Sequence, residues 1–448
     1  MNYAVMMSAI IKELGEDSTY STKMASAIGL WSRMYSGDAP WLGKDTFSAG
    51  TAVAVASETA RLMTIELKAG TEGPKPIMDE LHNGIIPKLR KYSEYGLAKG
   101  SLIIKPIVAP SGLVTLFIQA DSFYPLAFDS SGEMTRCVLI DQKRSGRAIY
   151  TRMEIHTISE GVLTVENRAY RSMSDGFLGA KVPLNEVPEW SVLADEQKFT
   201  GINKLPFGLF RCPVANQIDN MSPMGVSVYS RAVEHIKEAD RRYSDICWEY
   251  EAKQAAVHLS ESMMKYDRDR DKYVAPAGRE RLYRALPFYS GATDKPLVEV
   301  YSPDIRSSEY FEGFNAQLRL IEFDCSLAYG TISDPQAVDK TATEVKASKQ
   351  RSYTMITDCQ AAMTTALTDW ADGALFWSRL YGLDNSSSVS LELEWGDGIL
   401  SDPQLEREED RKDVSMGVMR PEEYRAKWYG EDIQTALENL PETAQVIE

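Results

Sequence analysis

Four histidines (His82, His156, His235, His258) and five cysteines (Cys137, Cys212, Cys247, Cys325, Cys359) carry the most versatile side-chain chemistry in this chain. Imidazoles move protons and bind metals, and thiolates attack or ligate. Their spacing serves neither purpose. The histidines lie far apart, and there is no HExxH, no CxxC and no Cys/His run of the kind that holds zinc. An odd number of cysteines leaves one unpaired however the rest are matched, which points to a reducing cytoplasm. GxxxxGK[ST], GxGxxG after a strand and the GxSxG elbow are also missing, which disfavours an ATPase, a dinucleotide enzyme and an α/β-hydrolase. Neither a cofactor nor a metal is expected.

Carboxylates are plentiful, with 65 Asp and Glu against 49 Lys and Arg, so a general acid and base could be found among them. A soluble carboxylate-dependent hydrolase of α+β fold is therefore the alternative function. The densest acidic run, Glu406 to Asp410, reads as a solvated face instead. The run Asp267-Arg268-Asp269-Arg270-Asp271-Lys272 lacks the glycine and the closing glutamate of a calcium loop and reads as alternating surface charge. Tyr and Trp recur at helical spacing, which favours core packing over base stacking. The formal charge of −16 repels polyphosphates and anionic membranes. It argues against tight DNA contact over most of the surface, because each phosphate grip needs a Lys or Arg to displace counterions.

The elements that would position these residues fall in a definite order. The 448 residues suffice for two or three domains, and 44% hydrophobic with 25% charged residues is a folded, soluble composition. The start, MNYAVMMSAIIKELGEDS, lacks a basic leader, and no apolar run approaches the roughly 18 residues that span a bilayer. Residues 1 to about 100 read as helical, including Thr51–Leu67 and a stretch closed by Gly100. From Ser101 to about Tyr170 the texture is that of an antiparallel, hairpin-rich sheet. There Ile149, Thr151, Met153 and Ile155 alternate with Tyr150, Arg152, Glu154 and His156, as in a half-buried strand.

A long amphipathic helix is predicted over Ser227–Val257, its stripe running through Tyr229, Ile236, Ala239, Tyr243, Ile246 and Tyr250. A compact charged insert follows at 258–302, containing a helical RERLYRAL and a strand-like LVEVY. A second helix, Ser307–Gly330, stops at its glycine. A loop then leads into a third helix over Thr341–Tyr381, on the order of 60 Å long if Gly373 does not bend it. The tail holds a strand-like SVSLELEW and short helices, and from Ser401 to Glu448 it carries 6 basic and 13 acidic residues, a net of 6 − 13 = −7.

In this order of parts the chain resembles the portal proteins of tailed bacteriophages, in particular the branch found in phages of Gram-positive bacteria. The resemblance is carried by three groups of residues. The first is Lys340-Thr341-Ala342-Thr343-Glu344-Val345 with Tyr353, and the second is Gly225-Val226-Ser227 with Tyr243. The third is Glu422-Glu423-Tyr424-Arg425 with Lys427-Trp428-Tyr429-Gly430. It covers most of residues 225–430 in architecture and residues 1–225 only in texture.

The resemblance implies an elongated α+β portal fold. Its parts would be a wing over 1–226 (β-rich at 101–170), stem helices at 227–257 and 303–330, and a clip at 258–302. A tunnel loop at 331–342, a long wing helix at 343–384 and a crown at 385–448 would follow. It implies that Thr331, Ser333, Asp334, Gln336, Asp339 and Lys340 face the DNA channel, and that Asp267, Arg268, Asp269, Arg270, Asp271 and Lys272 form the clip docking surface. By the same resemblance the protein is a non-enzymatic structural protein of the virion, assembled in the host cytoplasm. It would be a ring, usually of twelve subunits, forming the head-tail connector at the capsid vertex. That ring conducts double-stranded DNA during packaging and ejection. Its partners would be the terminase large subunit, a head-completion adaptor, the major capsid protein and a scaffold protein, with no membrane. Two readings of the residues agree with this. An acidic conduit lets a duplex slide, and apolar helix stripes without a bundle partner in the chain suggest burial against neighbouring subunits.

Overall fold

The computed structural model describes residues 3–15, 21–174, 176–253, 256–260, 265–268, 272–274, 283–286, 298–301, 304–334, 342–396 and 403–440. The chain is mixed α+β with mainly antiparallel sheets, in agreement with the coarse fold class. Helices α1 (Tyr3–Leu14), α2 (Thr22–Tyr35) and α3 (Thr51–Thr64) precede strand β1 (Lys68–Glu72). Helix α4 (Lys75–Glu80) continues through a π-turn at Leu81–Ile85 into α5 (Ile86–Lys99). Pro87 has no N–H to give to the preceding turn, and the widened turn accommodates it. Gly100 closes α5 at φ 91°, as the sequence predicts.

Strands β2 (Ser101–Ala109) and β3 (Gly112–Gln119) form a hairpin, and β10 (Gly208–Arg211) pairs with the other edge of β2. The larger sheet orders β4 (Phe123–Phe128), β5 (Met134–Ser145), β6 (Ala148–Ser159), β7 (Val162–Ser172) and β8 (Ala180–Val182), with β9 (Glu196–Thr200) also paired to β7.

Helix α6 (Val233–Ala252) starts six residues later than the apolar spacing suggests. Residues 227–232 form tight turns instead, because tertiary bonds capture them: Val228 N–H donates to the Leu97 carbonyl at 2.9 Å and the buried Tyr229 hydroxyl to the Trp31 carbonyl at 3.0 Å. Gly225 earns its place by close approach, since a Cβ there would lie 2.2 Å from the Gly100 carbonyl oxygen. Strands β11 (Ala256–Ser260), β12 (Lys265–Asp267), β13 (Lys272–Val274), β14 (Tyr283–Leu286) and β15 (Val298–Tyr301) occupy the insert, in the order β14-β11-β15 with a separate β12-β13 hairpin. The expected helix at RERLYRAL is thus overturned for Tyr283–Leu286. These residues pair in parallel with Val257–Ser260, and the ladder bonds override the helical preference of Arg284, Ala285 and Leu286.

Helix α7 (Ser307–Asp324) ends well before Gly330. Ser326 takes the left-handed conformation at φ 58° and Leu327 N–H returns to the Glu322 carbonyl at 2.8 Å, the hydrogen-bond pattern of a Schellman cap. Helix α8 (Ala342–Leu380) runs 39 residues and does not break at Gly373. That glycine admits the Pro206 backbone, whose carbonyl lies 2.5 Å from where a Cβ would stand. Strand β16 (Ser390–Glu394) pairs antiparallel with β1, and α9 (Pro403–Ser415), α10 (Pro421–Tyr429) and α11 (Ile433–Glu438) follow.

The apolar stripe of α8 is buried inside this chain: Ile356, Cys359, Met363, Ala366, Leu367, Trp370 and Ala374 are buried where the helix packs against β2, β10 and α3. Gln360 Nε2 donates to the Met63 carbonyl at 3.2 Å and Trp370 Nε1 to Thr115 Oγ1 at 3.1 Å. The expectation that this helix lacks a partner within the chain is therefore corrected. Helices α6 and α7 pair with each other, and their stripes are only partly covered.

Candidate functional site

The turn that leaves α7 is built around Glu322. This side chain is fully buried, and its carboxylate accepts from the backbone N–H groups of Gly330 (3.1 Å), Ile332 (2.7 Å) and Ser333 (2.8 Å), and from the Ser333 hydroxyl (2.8 Å). Asn315 Oδ1, also on α7, accepts from Asp334 N–H at 2.7 Å. Helix α8 contributes Ser352, whose Oγ accepts from Ala328 N–H at 2.6 Å, and Arg351, whose guanidinium stacks over Phe323 and Tyr329 at 4.8 and 5.6 Å. A charged acceptor with four donors holds the backbone more firmly than neutral bonds would. Residues 330–334 are therefore a platform fixed to α7, and Ala328 and Tyr329 just before it tie the turn to α8.

Of the residues expected at the channel, Thr331, Ser333 and Asp334 lie on this platform. Gln336, Asp339 and Lys340 lie outside the described residues. Ser333 is buried with its hydroxyl on Glu322, and Thr331 donates to the Ala328 carbonyl at 2.5 Å. Ser333 thus anchors the turn in the single chain, its side chain directed inward onto Glu322. Of the clip residues, Asp267 sits opposite Lys272 at the end of the β12-β13 hairpin and Arg268 is exposed. Asp269, Arg270 and Asp271 lie outside the described residues.

The α6–α7 pair is held at two levels. Near the body, Asp240 of α6 accepts from Trp41 Nε1 at 2.9 Å and Ala49 N–H at 2.7 Å, while Ser244 Oγ accepts from Phe47 N–H at 2.8 Å. Burial pushes the Asp240 carboxyl up, against the opposing pull of those bonds. At the insert, Glu249 meets Lys253 at 2.8 Å and Arg306 at 3.4 Å, and Lys253 also donates to the Asp304 carbonyl at 2.8 Å. Hydrogen bonds from Lys253 and Arg306 hold the Glu249 carboxyl down at about 2. This clamp ties the two ends of the insert together, and the Ala256–Tyr301 register continues it.

The sequence-predicted alternation fails at Glu154 and His156, which are buried on β6. Lys105 from β2 contacts Glu154 Oε1, Arg152 Nη1 lies 3.0 Å from Oε2, and His156 Nε2 donates to Oε1 at 2.6 Å. Burial opposes ionisation of Glu154, but Lys105, His156 and Arg152 outweigh it and hold the carboxyl well below its ordinary value. Burial holds His156 below its ordinary value, against the pull of Glu154. Its Nδ1 has no hydrogen-bond partner among the described residues, and its ring stands edge-on to Phe207 at 5.7 Å. The alternation on β6 gave no sign of this cluster, because the deciding partner, Lys105, belongs to another sheet. Glu322 gave no sign either, because its donors are three backbone N–H groups and one serine hydroxyl.

Among the described residues, no group of three or more His, Cys, Asp and Glu is placed to hold a metal, and no helix is long and apolar enough to cross a membrane. No protein-family model matches the chain, and no curated protein matches it significantly. At the level of class, the chain is a mixed α+β protein in which a helix pair carrying a small β insert leads through an anchored turn into one long helix.

Proposed function

We propose that this chain is the protomer of a portal-type ring that conducts double-stranded DNA through a capsid vertex and docks the packaging motor and head-completion proteins. The observation that carries the reading is the α6–α7 pair. Each helix finds apolar cover mainly from the other, and Trp248, Phe311 and Leu320 remain 66%, 50% and 46% exposed. Exposed apolar surface of this kind is stabilised when identical copies pack around an axis, as heterologous cyclic contacts require. The sequence of a clamped insert, an anchored turn and a long helix buried in the body supports the assignment of stem, clip, channel loop and wing helix.

The buried Lys105–Glu154–His156 cluster does not favour the hydrolase alternative. A paired-acid mechanism needs two carboxylates about 5–10 Å apart around a substrate, and this cluster has one central carboxylate engaged by three cations or donors. The functional test is truncation of residues 335–340. Rings should still assemble while DNA packaging or retention is impaired, and normal packaging by the truncated protein would remove the channel-loop assignment.

A further inference from the structure

Helices α9 and α10 bring two arginines onto one neutral acceptor. Arg407 Nε and Arg411 Nε, one helical turn apart, donate to the Tyr424 hydroxyl at 3.1 and 3.0 Å. Neither guanidinium is in ion-pair contact with a carboxylate among the described residues. Two acidic neighbours have other partners: Asp410 meets Lys427 at 2.8 Å and Trp428 Nε1 at 2.7 Å, and Glu431 meets Arg425 at 2.7 Å. Arg407 is also fixed from the side, with Trp428 and Tyr429 rings at 5.7 and 5.6 Å. Arg411 is exposed.

Two like charges held this close repel each other, and they do so in a tail whose overall charge is negative. A bridging anion relieves that repulsion, and paired guanidinium forks match the oxygens of a phosphate in geometry as well as charge. Desolvation of the Tyr424 phenol works against its ionisation, yet the bonds from Arg407 and Arg411 leave it below its ordinary value. We infer that Arg407, Arg411 and Tyr424 form a phosphate-binding site on the α9–α10 face. Its ligand is a phosphate group, presented either free or along a nucleic-acid backbone. The inference stands apart from the ring proposal, because it concerns the single chain.

The test is calorimetric titration of the full-length protein with inorganic phosphate in a chloride buffer, alongside anisotropy of a labelled 20-base-pair duplex. Phosphate should bind with a Kd on the order of 1 mM. Arg411→Gln should weaken binding about tenfold and Arg407→Gln/Arg411→Gln should abolish it, with the circular dichroism of both variants unchanged. Tyr424→Phe keeps both cations and should retain binding within about threefold. Duplex binding that is lost in the double variant assigns the site to a nucleic-acid backbone. Phosphate binding without duplex binding assigns it to free phosphate. Absence of phosphate binding by the parent protein, or binding unchanged in the double variant, overturns the site.

Discussion

Glu154 occupies a strand position that alternation assigns to solvent, and its burial is made tolerable by Lys105, Arg152 and His156. Removing its charge strands the buried Lys105 and leaves the half-buried Arg152 with Asp141 alone, so Glu154→Gln should destabilise the fold by about 3 kcal/mol in denaturant titration. The cluster also sets a pH dependence. His156 lies below its ordinary 6.5, so below about pH 6.5 the unfolded chain takes up a proton that the folded chain refuses, and stability falls with acidification. Glu154 is depressed as well: its contribution is complete above its ordinary 4.5 and is lost on further acidification. Both act in the same direction, and His156→Leu should flatten the loss of denaturation midpoint between pH 6.5 and 5. Glu322→Gln should loosen the anchored turn by about 2 kcal/mol, read as roughly 30-fold faster hydrogen exchange at Gly330, Ile332 and Ser333. None of these residues announces itself in the sequence. A carboxylate whose partners are backbone N–H groups, or a lysine from another sheet, leaves no local pattern.

At the scale of elements, periodicity carried most of the fold. The hairpins β5–β6 and β6–β7, the closure of α5 at Gly100 and the span of α8 follow from alternation, a left-handed glycine and a sustained helical stripe. The failures have tertiary causes. Helix α6 starts late because Val228 and Tyr229 are held by other elements, α7 ends early at the Ser326 cap, and Tyr283–Leu286 becomes a strand by pairing. Gly208 shows how tightly α8 lies on β10: a Cβ there would stand 1.8 Å from the Ala366 carbonyl oxygen, a backbone atom that cannot swing aside. Gly208→Ala should therefore cost about 3 kcal/mol or more, whereas Gly43→Ala, with nothing within 4 Å, should stay within about 0.5 kcal/mol in the same thermal or denaturant assay.

At the scale of the whole molecule, helix α8 buries its apolar stripe inside its own chain, so it offers no argument for assembly. The α6–α7 pair does, through the exposed Trp248, Phe311 and Leu320. The candidate site was legible in part: the sequence located the segment between α7 and α8, while the Glu322 platform that fixes its near end emerged only from the fold. The account rests on several copies closing around an open axis. Negative-stain electron microscopy of the purified full-length protein tests this most directly. The account predicts rings with a central hole wide enough for a duplex, and a monodisperse monomer or a compact particle without a hole under all assembly conditions would contradict it.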